Sequence, residues 1–351
     1  MKTLVCDTEE SVFSLEEIPE PEIGKNPYRP EDVIIEVKFC GICGTEVNLW
    51  KEGFPKGALR AKKVGLGHEV AGVVLAAGEK VRGIDKGDRV VSEVSFNSCG
   101  KCSLCTSGKN NLCKHASAFM LHQGGFSKLL PLPGKNIHKI PSSVTLEEAS
   151  LCQPLALAVN AVEIRERLKA GESVAIFGPG PIGLCMVQLA RLSGAWPVIV
   201  IGLKADKKRL EAAKTLGADY CINTDEEDLL EKIDDITAKH GIDLAIEIAG
   251  SGKAVTQALD IVKPCGRVVL TGAGYLPIEI DTVKKIMLRQ IDLLGCRGDP
   301  TISWIKALQI LGTGKLNLRP IITDILPLGR WEEGFRFASS KNSLKVLLQP
   351  E

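Results

Sequence analysis

From about residue 155 onward the chain alternates short apolar runs with helical stretches, and this alternation constrains the fold more than any other feature. Strands separated by helices pair in parallel, because each crossover helix must pack back on the sheet it leaves. The first run, Glu172-Ser173-Val174-Ala175-Ile176-Phe177, leads into Gly178-Pro179-Gly180-Pro181-Ile182-Gly183 and then an amphipathic helix through Arg191. A Gly-x-Gly-x-x-Gly turn between strand and helix lets backbone amides and the helix N-terminus meet a pyrophosphate. Gly178, Gly180, Pro181, Ile182 and Gly183 are therefore candidate dinucleotide contacts. Pro181 suits the first helical turn, where its missing N–H costs nothing. Further strands are predicted at 197–201, 220–222, 243–247, 266–270 and 292–296, the repeat of a doubly wound α/β sheet. Gly250, Gly272 and Gly274 close strand ends where a dinucleotide lies in such sheets, with Gly272 the candidate contact.

The second strand ends at Gly202-Leu203-Lys204. NAD-binding versions of the motif place an acid about twenty residues past the fingerprint, to bond the ribose hydroxyl. Gly202 offers none, which removes repulsion against a ribose phosphate, and Lys204 and Arg209 offer compensating charge. NADP is the expected cofactor, with NAD possible if Asp206 stands in for the missing acid.

The first part reads differently. Short strands at 32–38, 69–75 and 88–91 are broken by glycine turns such as Ala77-Gly78-Glu79-Lys80, which predicts a compact, mainly antiparallel β domain with weak helical periodicity. Within it, Cys43 stands in Phe39-Cys40-Gly41-Ile42-Cys43-Gly44-Thr45-Glu46, and His68-Glu69 follow downstream. A thiolate, an imidazole and a carboxylate are the ligand mixture of an open catalytic zinc site. Cys40 reads as a small buried hydrophobe.

A second cysteine group is tighter: Cys99, Cys102 and Cys105, then seven residues to Cys113. Four thiols at this spacing close around one tetrahedral zinc with no vacant position, which makes a structural site. An iron–sulfur cluster favours other spacings and a proline after the last cysteine, where this chain has Lys114. A nucleic-acid finger needs a basic helix, and none follows.

Composition narrows the partners. With 44 basic and 43 acidic residues and no long single-sign block, nothing favours nucleic acid or a membrane surface. No apolar run reaches the length of a membrane span, and the opening residues turn acidic too early for a signal peptide, so a cytoplasmic protein acting on a small molecule is expected. At 351 residues two domains are expected.

The order Cys40-Gly41-Ile42-Cys43-Gly44-Thr45-Glu46, Gly67-His68-Glu69, the four-cysteine lobe, Gln153-Pro154-Leu155-Ala156 and then the fingerprint resembles the zinc-dependent medium-chain alcohol dehydrogenase family. The branch it is similar to is that of the polyol (sorbitol) and threonine dehydrogenases. The resemblance spans nearly the whole chain. It implies a GroES-like, mainly β catalytic domain over 1–155 with the zinc lobe at 95–115, a Rossmann domain over 156–296, and a return of 297–351 to the catalytic domain. It assigns Cys43, His68 and either Glu69 or position 153 to a catalytic zinc. Relatives carry glutamate before this proline, whereas Gln153 is a neutral amide that binds zinc poorly and cannot act as a base. The expectation is that Cys43, His68 and Glu69 hold the metal, with Gln153 beside it or bridged by water. Cys152 as a substitute ligand and loss of the metal stand as alternatives.

The implied activity is zinc-dependent, NAD(P)-linked oxidation of a secondary alcohol in a polyol, sugar or related small molecule to a ketone, in a homo-oligomer (tetramer or dimer). Thr45 would carry the substrate proton. Asn48 replaces the histidine that relatives often use as outer relay, and Arg297 resembles an arginine that lines the polyol branch's cleft. The alternatives are threonine or sugar-phosphate oxidation, with Arg60, Lys62 and Lys63 as candidate anion contacts, or an NADP-binding regulatory protein whose catalysis decayed with Gln153 and Asn48.

Overall fold

Runs of β-branched residues such as Val33-Ile34-Ile35 favour extended chain, and strands dominate the first part of the molecule. The computed structural model describes residues 1–25, 28–54, 61–95, 97–116, 124–273 and 277–351. Its strands begin with β1 (Lys2–Asp7), β2 (Val12–Glu17), β3 (Asp32–Gly41), β4 (Lys63–Gly65), β5 (Glu69–Ala77), β6 (Arg89–Ser92), β7 (Leu129–Pro133) and β8 (Ile137–Lys139). Short helices α1 (Gly44–Glu52), α2 (Ser103–Thr106) and α3 (Leu146–Ala149) interrupt them, and α4 (Cys152–Val159) follows. The alternating part gives β9 (Val174–Phe177), α5 (Pro181–Leu192), β10 (Val198–Gly202), α6 (Lys207–Thr215), β11 (Tyr220–Asn223), α7 (Leu229–Thr237), β12 (Ile242–Glu247), α8 (Gly252–Ile261), β13 (Val262–Leu270) and β14 (Asp292–Gly295). The chain ends with α9 (Thr301–Gly312), β15 (Ile322–Pro327), α10 (Trp331–Ser339) and β16 (Lys345–Gln349).

Two compact units result. The first joins Met1–Ala156, Asp299–Gly314 and Leu318–Glu351; the second joins Leu157–Gly298 and Lys315–Asn317.

In the first unit, β1 pairs antiparallel with both β2 and β4. A larger sheet runs β15-β16-β3-β5-β6-β8, with β7 also on β3. Its core gathers Leu4, Ile35, Val37, Cys40, Leu66 and Phe126 around Phe335, whose ring meets those of Phe13, Trp50, Phe126 and Trp331 at centroid distances of 5.7–6.1 Å. Cys40 is fully buried there, and burial holds its thiol pKa well above the ordinary value. The weak helical periodicity expected here has an exception in α1, directly after Cys43. Its fully buried residues are Glu46 and Val47, with Leu49 and Trp50 partly buried against the core, and a reciprocal cap between Cys43 and Glu46 starts it.

In the second unit six parallel strands run in the order β11-β10-β9-β12-β13-β14. Numbered within the unit this is 3-2-1-4-5-6, the doubly wound order, whose direction reverses between β9 and β12. Ala175, Phe177, Ile199, Ile201, Ala245 and Val268 form its core. No helix among the described residues is long and apolar enough to cross a membrane.

Candidate active site and metal centres

Cys43 caps α1 at the end of β3, and His68 immediately precedes Glu69, the first residue of β5. Because β3 and β5 are antiparallel neighbours with Gly41 opposite Glu69, the three side chains meet at one end of the strand pair. The sulfur of Cys43, a ring nitrogen of His68 and a carboxylate oxygen of Glu69 all lie within 4.8 Å of one another. His68 and Glu69 are buried, and Cys43 is half-buried.

One buried carboxylate organises this end of the sheet. Glu46 Oε2 accepts the Cys43 amide at 2.9 Å, while Glu46 Oε1 accepts the Gly67 amide at 3.0 Å and lies 2.8 Å from His68 Nδ1. An ionised carboxylate only accepts, so Nδ1 carries a proton toward Glu46, and Nε2 is the nitrogen left for a metal, which would have to displace the proton that the neighbouring negative charges favour there. Burial opposes charge on His68, but the Glu46 carboxylate and the Cys43 sulfur outweigh it and hold the imidazole pKa well above its usual value.

Glu69 has its own partner from the far end of the chain. Lys345 Nζ donates to Oε1 at 2.7 Å, to Oε2 at 2.6 Å and to the Ile42 carbonyl at 3.0 Å. Lys345 is only 4% exposed. Burial pulls its pKa down, yet Glu69 and Cys43 more than compensate and the ammonium is held above its ordinary range. Gly41 makes room for this pair: a Cβ there would stand 2.1 Å from Glu69 Oε2.

Gln153 starts α4 together with Cys152, which joins neither cysteine cluster. Gln153 Nε2 donates to Asp299 Oδ2 at 2.9 Å, and both side chains are buried. Burial pushes the Asp299 carboxyl up to about 7, against the pull of Gln153 and His68. Thr45 is exposed on α1, its hydroxyl 3.7 Å from Cys43 Sγ, and Asn48 follows three residues later on the same helix face. Arg297 is exposed.

The four sulfurs of Cys99, Cys102, Cys105 and Cys113 also lie within 4.8 Å of one another. Backbone amides of Lys101 and Cys102 point at Cys99 and lower its pKa to about 6, and those of Cys99 and His115 lower that of Cys113. Amides aimed at sulfur stabilise thiolates, the form that zinc requires. All twelve cysteines are unbridged, so each group keeps its thiols. Both donor sets fit zinc: four sulfurs for a closed site, and sulfur, nitrogen and oxygen for an open one.

In the second unit the fingerprint lies between β9 and α5. Gly178 has φ +114°, Gly183 has no space for a Cβ because the Gly178 carbonyl would be 2.1 Å away, and Gly180 caps α5 with open space at its Cβ position. Pro181 is the first residue of α5 and Ile182 the next. That geometry suits a phosphate approaching the helix N-terminus. Gly202 ends β10, while Lys204 is exposed and 3.2 Å from Glu226. Asp206 is buried, accepts the Leu203 amide and lies 3.9 Å from Arg209, so neither charge is open in the way the sequence suggests. Gly272 packs where a Cβ would meet the Gly250 amide at 2.4 Å and Glu247 Oε2 at 2.5 Å; Gly274 lies outside the described residues.

Three functional neighbours escaped the sequence reading. Glu46 was legible in principle, because Cys43-x-x-Glu46 has the spacing of a capping box. Lys345 and Asp299 carry no local signal, lying 276 and 146 residues from the side chains they contact.

Comparison with known proteins agrees with this architecture. Residues 29–142 match the alcohol dehydrogenase GroES-like domain, and residues 181–312 match the zinc-binding dehydrogenase domain. The chain is 34% identical to a sorbitol dehydrogenase of Halalkalibacterium halodurans over 96% of each chain, and 36% identical to an L-threonine 3-dehydrogenase of Pyrococcus horikoshii over 91% of each. A zinc-binding dehydrogenase of Sinorhizobium meliloti, solved bound to NADP, superposes with a TM-score of 0.86 at 31% identity over 99% of each chain. With a parallel nucleotide-binding sheet and a sulfur, nitrogen and oxygen cluster already in place, the chain belongs to the zinc-dependent medium-chain alcohol dehydrogenase family, in its polyol and threonine dehydrogenase-like branch.

Proposed function

We propose that this protein oxidises a secondary alcohol of a polyol, sugar or related small molecule to a ketone, with zinc at Cys43, His68 and Glu69 and with NADP in preference to NAD. The observation that carries the reading is the convergence of those three unlike donors within 4.8 Å, in a chain that also holds a phosphate-binding turn at the head of a parallel sheet. Bound zinc supplies Lewis acidity toward an alcohol hydroxyl, and a bound nicotinamide supplies a hydride acceptor. The protein's part is to hold donors and move a proton. Glu46 fixes the His68 ring through Nδ1 and leaves Nε2 facing away from it, and Lys345 holds both oxygens of Glu69 in place. The Thr45 hydroxyl accepts the substrate proton; Asn48 cannot titrate, so the proton passes from exposed Thr45 to water or to a cofactor ribose hydroxyl. A closed zinc at Cys99, Cys102, Cys105 and Cys113 pins its loop.

Support for NADP is the missing carboxylate at Gly202 and the inward turn of Asp206, together with the NADP-bound relative. Similarity to a sorbitol dehydrogenase supports a polyol, and that to a threonine dehydrogenase supports a hydroxy amino acid as second reading. Similarity to a D-arabitol-phosphate dehydrogenase of Enterococcus avium, 33% identical, supports a phosphorylated polyol as a third reading; of its candidate anion contacts, Lys62 and Lys63 are paired with Glu9 and Glu16, and Arg60 lies outside the described residues. A homo-oligomer is supported by β14, the edge of the six-stranded sheet, where Leu293 is exposed, as are Val283, Met287 and Leu288 shortly before it in the chain. Unbridged thiols support the cytoplasm.

The test is a panel of polyols, sugars and threonine with each cofactor, alongside zinc analysis. Turnover with about two zinc equivalents per chain is expected. One equivalent and no turnover would return the chain to a nucleotide-binding protein stabilised by its lobe, and a strong NAD preference would overturn the cofactor assignment.

A further inference from the structure

Glu247 ends β12, the strand that lies beside β9 where the sheet reverses. It follows the buried run Leu244-Ala245-Ile246 and is itself only 2% exposed. A buried carboxyl is costly unless hydrogen bonds surround it. Here the backbone supplies them. Oε1 accepts the Ser251 amide at 3.2 Å, and the Ala249, Gly250 and Gly272 amides also donate to the side chain. Burial still raises the Glu247 pKa, against the pull of those amides. The Glu247 carbonyl accepts the Thr271 and Gly272 amides as well, each at 2.9 Å. An amide N–H can only donate, and the two oxygens of a carboxyl group can serve several such donors at once.

Those amides lie on two turns, one after β12 and one after β13, and the first is built against the fingerprint. The Ile248 amide donates to the Phe177 carbonyl at 3.0 Å, and a Cβ on Gly178 would stand 3.0 Å from the Ala249 nitrogen. A Cβ on Gly272 would stand 2.4 Å from the Gly250 nitrogen and 2.5 Å from Glu247 Oε2. Residues 178, 249, 250 and 272 are therefore packed backbone to backbone, with the Glu247 carboxyl as the acceptor shared by three of them. In a doubly wound sheet the dinucleotide lies over this end, at the reversal between β9 and β12.

We propose that Glu247 is a positioning residue for the dinucleotide, its carboxyl holding the turns after β12 and β13 in register with the fingerprint turn so that the cofactor meets a surface already formed. The proposal rests on nucleotide binding at the fingerprint and is independent of the zinc site. The physical reason is pre-organisation: a turn ordered before binding need not be ordered by the ligand. Buried amides left without an acceptor would drive the two turns to another arrangement, which the cofactor would have to reverse.

The test compares the wild type with Glu247→Gln and Glu247→Asp. Affinity for NADPH and NADH is followed by nicotinamide fluorescence, alongside zinc content and hydrogen exchange. Glu247→Gln keeps the shape but turns one acceptor oxygen into an NH2 that cannot accept. Affinity for the preferred reduced cofactor should fall about 10-fold or more, with zinc content as in the wild type. Exchange should quicken over residues 248–252 and 271–273 while β9 keeps its protection. Glu247→Asp, which keeps both oxygens on a shorter arm, should fall between the two, and it carries the test by the same readouts if Glu247→Gln does not fold. Wild-type affinity in the folded variants would overturn the proposal, and so would a loss of affinity matched by faster exchange across the whole sheet, which marks a role in global stability. A wild type that binds neither dinucleotide would overturn the nucleotide-binding reading itself.

Discussion

The two cysteine-bearing centres of the first unit are assembled in opposite ways. The lobe gathers four like donors from residues 99–113, with backbone amides turned toward three of the sulfurs. The Cys43 cluster gathers three unlike donors from the ends of β3 and β5, and it is held by Glu46 from α1 and Lys345 from β16. Short loops close at small entropic cost, so the lobe depends on its own segment. The Cys43 centre depends on buried charges, which stay in place only while each has its partner. A closed local site pins a loop, whereas an assembled one can be tuned by parts distant in sequence.

Four measurements probe that contrast. Cys43→Ala should lower kcat by about 1000-fold or more, since zinc contributes several kcal/mol of charge stabilisation, and metal analysis should find one equivalent fewer with the lobe intact. Retained turnover would break the comparison outright. Lys345→Met leaves Glu69 buried without its cation and should cost about 3–5 kcal/mol in urea unfolding; an unchanged midpoint would mean that the pair does not support the sheet. Glu46→Gln should weaken zinc at the Cys43 centre by about 10–100-fold in chelator competition while the lobe metal is released as in the wild type. Equal loss from both would show that Glu46 acts through global stability. The smallest effect is expected from Lys204→Ala: an exposed group 3.2 Å from Glu226 should change kcat/KM for NADP by a few-fold at most, in line with the roughly 0–1 kcal/mol of exposed pairs.

What the sequence disclosed follows the same divide. The lobe and the fingerprint were readable because their function depends on spacing within a few residues. The alternating strands of the second unit were readable because parallel strands buried on both faces are continuous apolar runs. Cys43, His68 and Glu69 were legible as a possible donor set, and the fold brings them within 4.8 Å of one another. Helix α1 was missed because it is short, with Val47, Leu49 and Trp50 as its apolar contacts, and because a cysteine–glutamate cap starts it. Lys345 and Asp299 were hidden because tertiary packing, and not local pattern, brings β16 beside β3 and residue 299 beside residue 153. For the ribose end, the basic residues 204 and 209 looked open in sequence, but each faces an acid supplied by its surroundings.

The absent side chain at Gly41 has a practical consequence. Glu69 cannot swing away from an intruding methyl, because Lys345 grips both of its oxygens and its own Cβ and Cδ would already be 3.1 Å from the newcomer. Anyone diversifying this protein toward new substrates should leave position 41 out of the library, since even alanine there acts as a wedge that pries open the ion pair behind the Cys43, His68 and Glu69 cluster.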